Sequence, residues 1–173
     1  MNYAKNSQMY FYGNVQQRRI VQFLCKQYSL KCDLSPPRNP KPFLTDLDKQ
    51  IYNMTQILQH LALKVEFKGE IDLEMIQKVD QISVKYCKDE DILADISSLQ
   101  QYINFDKKVN VWELYLVCIL TRYFEENYTK EKALTELPIC VQLCDKVFTE
   151  MDQAQDCWGK ILWKVERKKR VKA

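Results

Sequence analysis

The run from Val111 to Leu120, VWELYLVCIL, limits what this chain can fold into more than any other segment. Its one charge is Glu113, and its side chains are otherwise apolar around the whole helical circumference. A helix of that kind is either a membrane span or the central helix of a globular protein. A bilayer needs about 20 apolar residues, and here Arg122, Glu125 and Glu126 follow almost at once. The run therefore predicts a buried central helix, which needs other elements to surround it.

The remaining sequence supplies helical patterns for that role. The chain has 173 residues, with 3 glycines and 5 prolines. So few breakers, with so much Leu, Ile, Lys, Glu and Gln, point to an all-α chain. A first helix is expected over residues 15–30. The prolines at 36, 37, 40 and 42 then enforce a loop over residues 31–43. Thr45 and Asp48 have the spacing of a helix N-cap. Leu47, Ile51, Met54, Leu58, Leu61 and Val65 recur every three or four residues and read as one helical face. Gly69 closes that helix. Asp72 caps a third, with Met75, Ile76, Val79, Ile82 and Tyr86 inward. Asp89 or Asp91 caps a fourth, with Ile92, Ile96, Leu99 and Ile103 inward. The central helix starts near Asn110. A sixth carries Leu134, Leu137, Val141, Cys144, Phe148 and Met151, with Pro138 inside it, either kinking it or starting its regular part. The last starts near Gln155 and carries Trp158, Ile161, Leu162 and Val165. The expected fold is an all-α bundle of seven to eight helices around the central one, in a single domain over residues 1–173.

Composition narrows the function classes. A net charge of +3, without a basic stripe and interleaved aromatics, argues against nucleic acid. The basic run from Lys164 to Lys172 reads as a solvated helix end, and membrane association stays open. The seven cysteines fall mostly on apolar faces, where a free thiol acts as a small hydrophobe. With no apolar leader at the start, they suggest a reducing compartment. Cys140 and Cys144 share a helix face, but His60 is the only imidazole, so no zinc site or other metal or cofactor is expected. No glycine-rich phosphate loop and no catalytic constellation appear, so the chain reads as a non-enzyme. A helical binding module with a groove between helices remains.

Two stretches give this outline a family look. Phe105, Asp106, Val109, Asn110 and Trp112 lead from one helix into the central one, as in the BH1 region of the Bcl-2 family. Asp156, Trp158 and Gly159 resemble its BH2 region, an acidic turn leading to a Trp on the last helix. The chain thus resembles the Bcl-2 family, in the divergent form of homologues from large DNA viruses such as iridoviruses. A Val is inserted before Trp112, and Glu113 or Leu114 stands where the family has its BH1 Arg.

The resemblance implies an inhibitor of apoptosis that sequesters pro-apoptotic BH3 helices of the host. Its groove would be lined by Leu58, Val65, Val79, Leu99, Ile103, Asn110, Trp112, Glu113, Leu114 and Val117, with Trp158 and Gly159 as the second motif. The implied location is the host cytoplasm or the mitochondrial outer membrane, and a homodimer burying part of the groove is expected. The alternative within the same resemblance is a closed-groove protein that blocks host inflammatory signalling through protein contacts.

Overall fold

The computed structural model describes residues 9–36 and 41–164. Val165, expected on the last helix, lies outside the described residues. The first elements are strand β1 (Met9–Tyr12), helix α1 (Val15–Gln27) and three strands, β2 (Cys32–Leu34), β3 (Phe43–Asp46) and β4 (Lys49–Tyr52). They form one four-stranded sheet in the order β2-β1-β3-β4. β1 runs parallel to β2 and antiparallel to β3, and β3 runs antiparallel to β4.

This sheet overturns the all-α expectation: the fold is mixed α/β. Thr45, read as a helix cap, lies in β3. Asp48 lies in the hairpin turn beside Leu47, which adopts φ +55° and is 66 % exposed. Ile51, counted into a helical face, lies in β4. The spacing of Leu47 and Ile51 happens to continue the phase of Met54 and Leu58. The hairpin prevails because β3 also pairs with β1, burying Leu44 beside Phe11. A non-local pairing of this kind leaves no trace in helical periodicity.

Alternation orders the sheet's two faces. Met9, Phe11, Leu44 and Asp46 turn toward the helices and are buried. Tyr10, Tyr12 and Tyr52 point the other way and are exposed. Tyr12, Phe43 and Tyr52 stand opposite one another across three strands, with ring centroids 5.9 and 5.0 Å apart.

The helical layer follows. α2 (Met54–Lys64) and α3 (Leu73–Cys87) are capped by Asn53 and Asp72. After α4 (Leu93–Leu99) comes α5 (Val111–Asn127), the apolar run, in which every residue from Val111 to Thr121 is buried. It packs against α1, α3 and α7 (Pro138–Glu150). Of the two roles open to Pro138, the structure has the second: it starts a helix and kinks none. It occupies the first position of α7, where its missing N–H costs nothing, and separates it from α6 (Lys130–Glu136). The last helix, α8 (Asp152–Trp158), ends at Gly159 with φ +73°. Ile161 and Leu162, placed on this helix by periodicity, follow it in chain without regular secondary structure. α8 closes over α1, with the Trp158 ring 4.4 Å from that of Phe23.

Candidate functional site

The strand directions gather several chain ends at one edge of the sheet. β1, β2 and β4 finish there, β3 begins there, and α1 and α2 both start there. In open α/β sheets, ligands bind outside the carboxyl ends of the strands. Helix N-termini add unpaired N–H groups and partial positive charge, which favour an anion.

The start of α1 is held firmly. Asn14 and Gln17 form a reciprocal capping box, with bonds of 2.8 and 2.9 Å. Behind it, the Gln17 side chain donates to Asp80 Oδ1 at 3.0 Å, and the Tyr115 hydroxyl donates to the same oxygen at 2.7 Å. Tyr115 also reaches Ser83 Oγ at 2.9 Å. Burial pushes the Asp80 carboxyl up, while Tyr115 and Gln17 restrain it. Gly13 fits a tight place before the helix, since a Cβ there would lie 2.7 Å from the Phe11 ring.

The start of α2 is unusual. Asn53 adopts φ 60° and ψ 148°, outside the left-handed helical well, and its side chain accepts from the Gln56 amide at 3.0 Å. Such a backbone costs about 1–3 kcal/mol for a residue with a Cβ, and strain of this kind concentrates at functional sites. The exposed Asn53 lies next to Tyr52. Tyr52 and Tyr12 flank Phe43 across two strand spacings, about 9.5 Å. One edge thus carries two helix N-termini and a strained junction, with the exposed Tyr12 and Tyr52 at the strand ends beside them.

The residues expected to line a groove are placed otherwise. Leu58, Val79, Leu99, Trp112, Glu113, Leu114 and Val117 are at most 2 % exposed and belong to the core. Val65, Ile103 and Asn110 are half-buried and scattered over the end of α2, the stretch after α4 and the cap of α5. Trp158 and Gly159 end α8 beside α1. These positions make no common groove, because the helices they sit on use their apolar faces against one another. Asn110 and Glu113, taken for a BH1 turn, instead form the cap of α5, with the Asn110 amide donating to Glu113 Oε1 at 2.9 Å. Val109 is buried just before this cap and Leu114 just after it, at the two positions of a hydrophobic staple. Sequence reasoning missed the strands and the edge they build. The alternation in Tyr10–Phe11–Tyr12 and the turn residues Asp46 and Asp48 were the signals available.

Among the described residues, no cluster of His, Cys, Asp or Glu could hold a metal ion. None of their helices is long and apolar enough to cross a membrane.

No protein-family model matches the chain, and no curated relative does. Among solved structures, it is similar to the Pi-class glutathione S-transferase of Onchocerca volvulus, with a TM-score of 0.59 and 15 % identity over 80 % of this chain and 86 % of that one. The chain has the fold of a glutathione S-transferase. This likeness replaces the Bcl-2 resemblance, and with it the capture of BH3 helices, the role in apoptosis and the closed-groove alternative. The similar protein is an enzyme by name, which runs against the expectation of a non-enzyme.

Proposed function

We propose that the protein binds glutathione, or a thiol peptide of the same length, along the carboxyl edge of its sheet and holds the thiol for transfer to an electrophile. The observation that carries this reading is the strained Asn53 backbone at the start of α2, on the edge where α1 also begins. An extended tripeptide spans roughly 10 Å at 3.3–3.6 Å per residue, close to the separation of Tyr12 from Tyr52. A carboxylate of the peptide fits the first amides of α2. The thiol then lies on the outer face of the sheet beside the end of β1, where Tyr12 and, two residues before it, Tyr10 stand exposed. A hydroxyl donating to sulfur favours thiolate over thiol. The thiolate attacks an electrophilic carbon, a C–S bond forms, and the leaving group departs with the bonding electrons, the thiol proton having passed to solvent. The name of the structural neighbour supports glutathione as the thiol.

Calorimetric titration with glutathione tests the binding, and conjugation of chlorodinitrobenzene tests the transfer. Saturable binding at millimolar glutathione or below is expected. Tyr10→Phe and Tyr12→Phe identify the activating hydroxyl, as the variant that loses turnover while retaining glutathione affinity. No heat of binding at ten times the ordinary millimolar range overturns the reading. Binding without conjugation removes the transferase step alone.

A further inference from the structure

A second group of polar side chains gathers at the opposite edge of the sheet. α1, β3 and α2 end there, and β2 begins there. After α1 the chain turns sharply. Ser29 adopts φ +56°, the Leu30 amide donates to the Cys25 carbonyl at 2.8 Å, and the Ser29 amide donates to that of Lys26 at 3.4 Å. This double closure has the pattern of a Schellman motif. It brings Cys32, the first residue of β2, back over the last turn of α1. Cys32 pairs in register with Met9, which faces the helices, so its side chain lies on the face that meets Cys25. The two thiols face each other on this side of the sheet and both are free, the Cys32 thiol also donating to the Asp33 carbonyl at 3.7 Å. Cys25 is 5 % exposed, whereas Cys32 is half-buried and reachable. Close by, Lys64 Nζ and His60 Nε2 each lie 2.7 Å from Asp46 Oδ2, which fixes the lysine charge near Cys25.

We propose that Cys25 and Cys32 form a redox-active dithiol site, converted to an intramolecular disulfide by a low-molecular-weight disulfide such as glutathione disulfide. The Cys32 thiol beside it holds the Cys25 thiol below its ordinary range against the effect of burial, and the Lys64 charge adds to this. Cys25 therefore carries the thiolate of the pair, and the Cys32 thiol, pushed up by its contact with Cys25 and by burial, holds the proton until Cys25 takes it. Cys32 attacks one sulfur of the small disulfide as its proton passes to Cys25. A mixed disulfide forms on Cys32 and one glutathione thiolate leaves, which takes the proton back from Cys25. The Cys25 thiolate then attacks Cys32 Sγ, the protein disulfide forms, and the second glutathione thiolate departs. The protein gives up two electrons and the small disulfide is reduced to two thiols. Cys87 lies apart on the surface at the end of α3. Cys118, Cys140 and Cys144 are buried in the core with their thiols pushed up by burial, and so remain unreactive. The site stands on this edge alone and does not depend on glutathione binding at the other.

The test treats the full chain with mixtures of glutathione and glutathione disulfide, traps free thiols by alkylation, and digests with trypsin. The expected product is the Ile20–Lys26 peptide linked to the Cys32–Arg38 peptide, released by dithiothreitol. Cys25→Ser should accumulate a lasting glutathione adduct on Cys32. Cys32→Ser should leave Cys25 unmodified. Circular dichroism checks that each variant is folded, and Cys25→Ala replaces Cys25→Ser if the latter is not. A persistent adduct on Cys32 in the unaltered chain overturns the proposal. So does full alkylation of Cys25 and Cys32 under conditions that modify Cys87.

Discussion

Glu113 offers a sharp test of how the core is organised. It sits at the third position of α5, is 1 % exposed, and accepts from the Asn110 amide through Oε1. Its other oxygen is buried without a partner, as is Asn110 Oδ1, so the Asn110 amide bond is the arm of the cap with sound geometry. Burial pushes the Glu113 carboxyl up, the Asn110 amide and Lys146 pull it down, and Glu150 pushes it up again, for a net rise. A carboxyl whose folded value is raised favours folding most when protonated. Its contribution is fully present below the unfolded value, about 4.3, and is lost as pH rises through the higher folded value.

Glu113→Gln keeps the acceptor and removes the buried charge, since either residue serves at this cap position. It should change stability by less than about 1 kcal/mol at pH 7. Glu113→Ala strands the Asn110 amide, at about 1–3 kcal/mol, and deletes one buried methylene, at roughly 0.8 kcal/mol. Together these predict a loss of about 2–4 kcal/mol, within the ordinary range for a core truncation. Urea denaturation at pH 4.5 and pH 7 reads all three proteins. The difference between the Gln variant and the unaltered chain should shift in favour of Gln as pH rises. Equal destabilisation by Gln and Ala at pH 7, or parallel pH profiles for Gln and the unaltered chain, would refute this account of the buried carboxylate.

Other positions give independent checks. Leu116→Asp places a charge in the fully buried centre of α5 and should abolish the helical circular dichroism signal; a cooperative, folded variant contradicts the packing. Tyr115→Phe removes the hydroxyl bonded to Asp80 and Ser83 and should cost about 1–3 kcal/mol in urea denaturation. For Asp46, burial pushes the carboxyl up, but the Lys64 and His60 contacts outweigh it and hold it below the usual range. That contribution is present above the unfolded value, about 3.9, and is lost as pH falls through the lower folded value; Asp46→Asn should therefore flatten the acid side of the stability profile.

Much of the helical layer could be read from the residues, but the sheet could not. Asp72 announces its helix through a cap hydrogen bond that depends only on the residue three positions on. The apolar run of α5 likewise demands burial by its own composition. Neither signal says what surrounds the helix, and a wholly apolar helix suits any fold that encloses it. The motifs around Trp112 and Trp158 misled for that reason. Their aromatic and acidic residues serve a helix cap and the contact of α8 with α1. The strands are short, and their evidence lies in pairing between segments about thirty residues apart, as between Phe11 and Leu44. The edge site inherits this difficulty. Its parts become neighbours only once strand order and direction are known.

The two edges of the sheet are joined by the same helices, which raises the question of whether they act separately. α1 carries the Asn14 cap at one end and Cys25 near the other, and α2 runs from Asn53 to Lys64. Eleven residues of helix separate Asn14 from Cys25, roughly 16 Å at 1.5 Å per residue. Changes that far apart with no shared partner add to within about 0.5 kcal/mol. Asn14 bonds Gln17 and Ser83, whereas Cys25 meets Cys32 and the Lys64 charge, so no partner is shared. Asn14→Ala alone should cost about 1 kcal/mol through the lost cap. The Asn14→Ala, Cys25→Ser double variant should then lose the sum of the single losses in urea denaturation. A coupling well beyond 0.5 kcal/mol would show α1 acting as a rigid link, with the state of the dithiol at one edge felt at the edge where glutathione is proposed to bind.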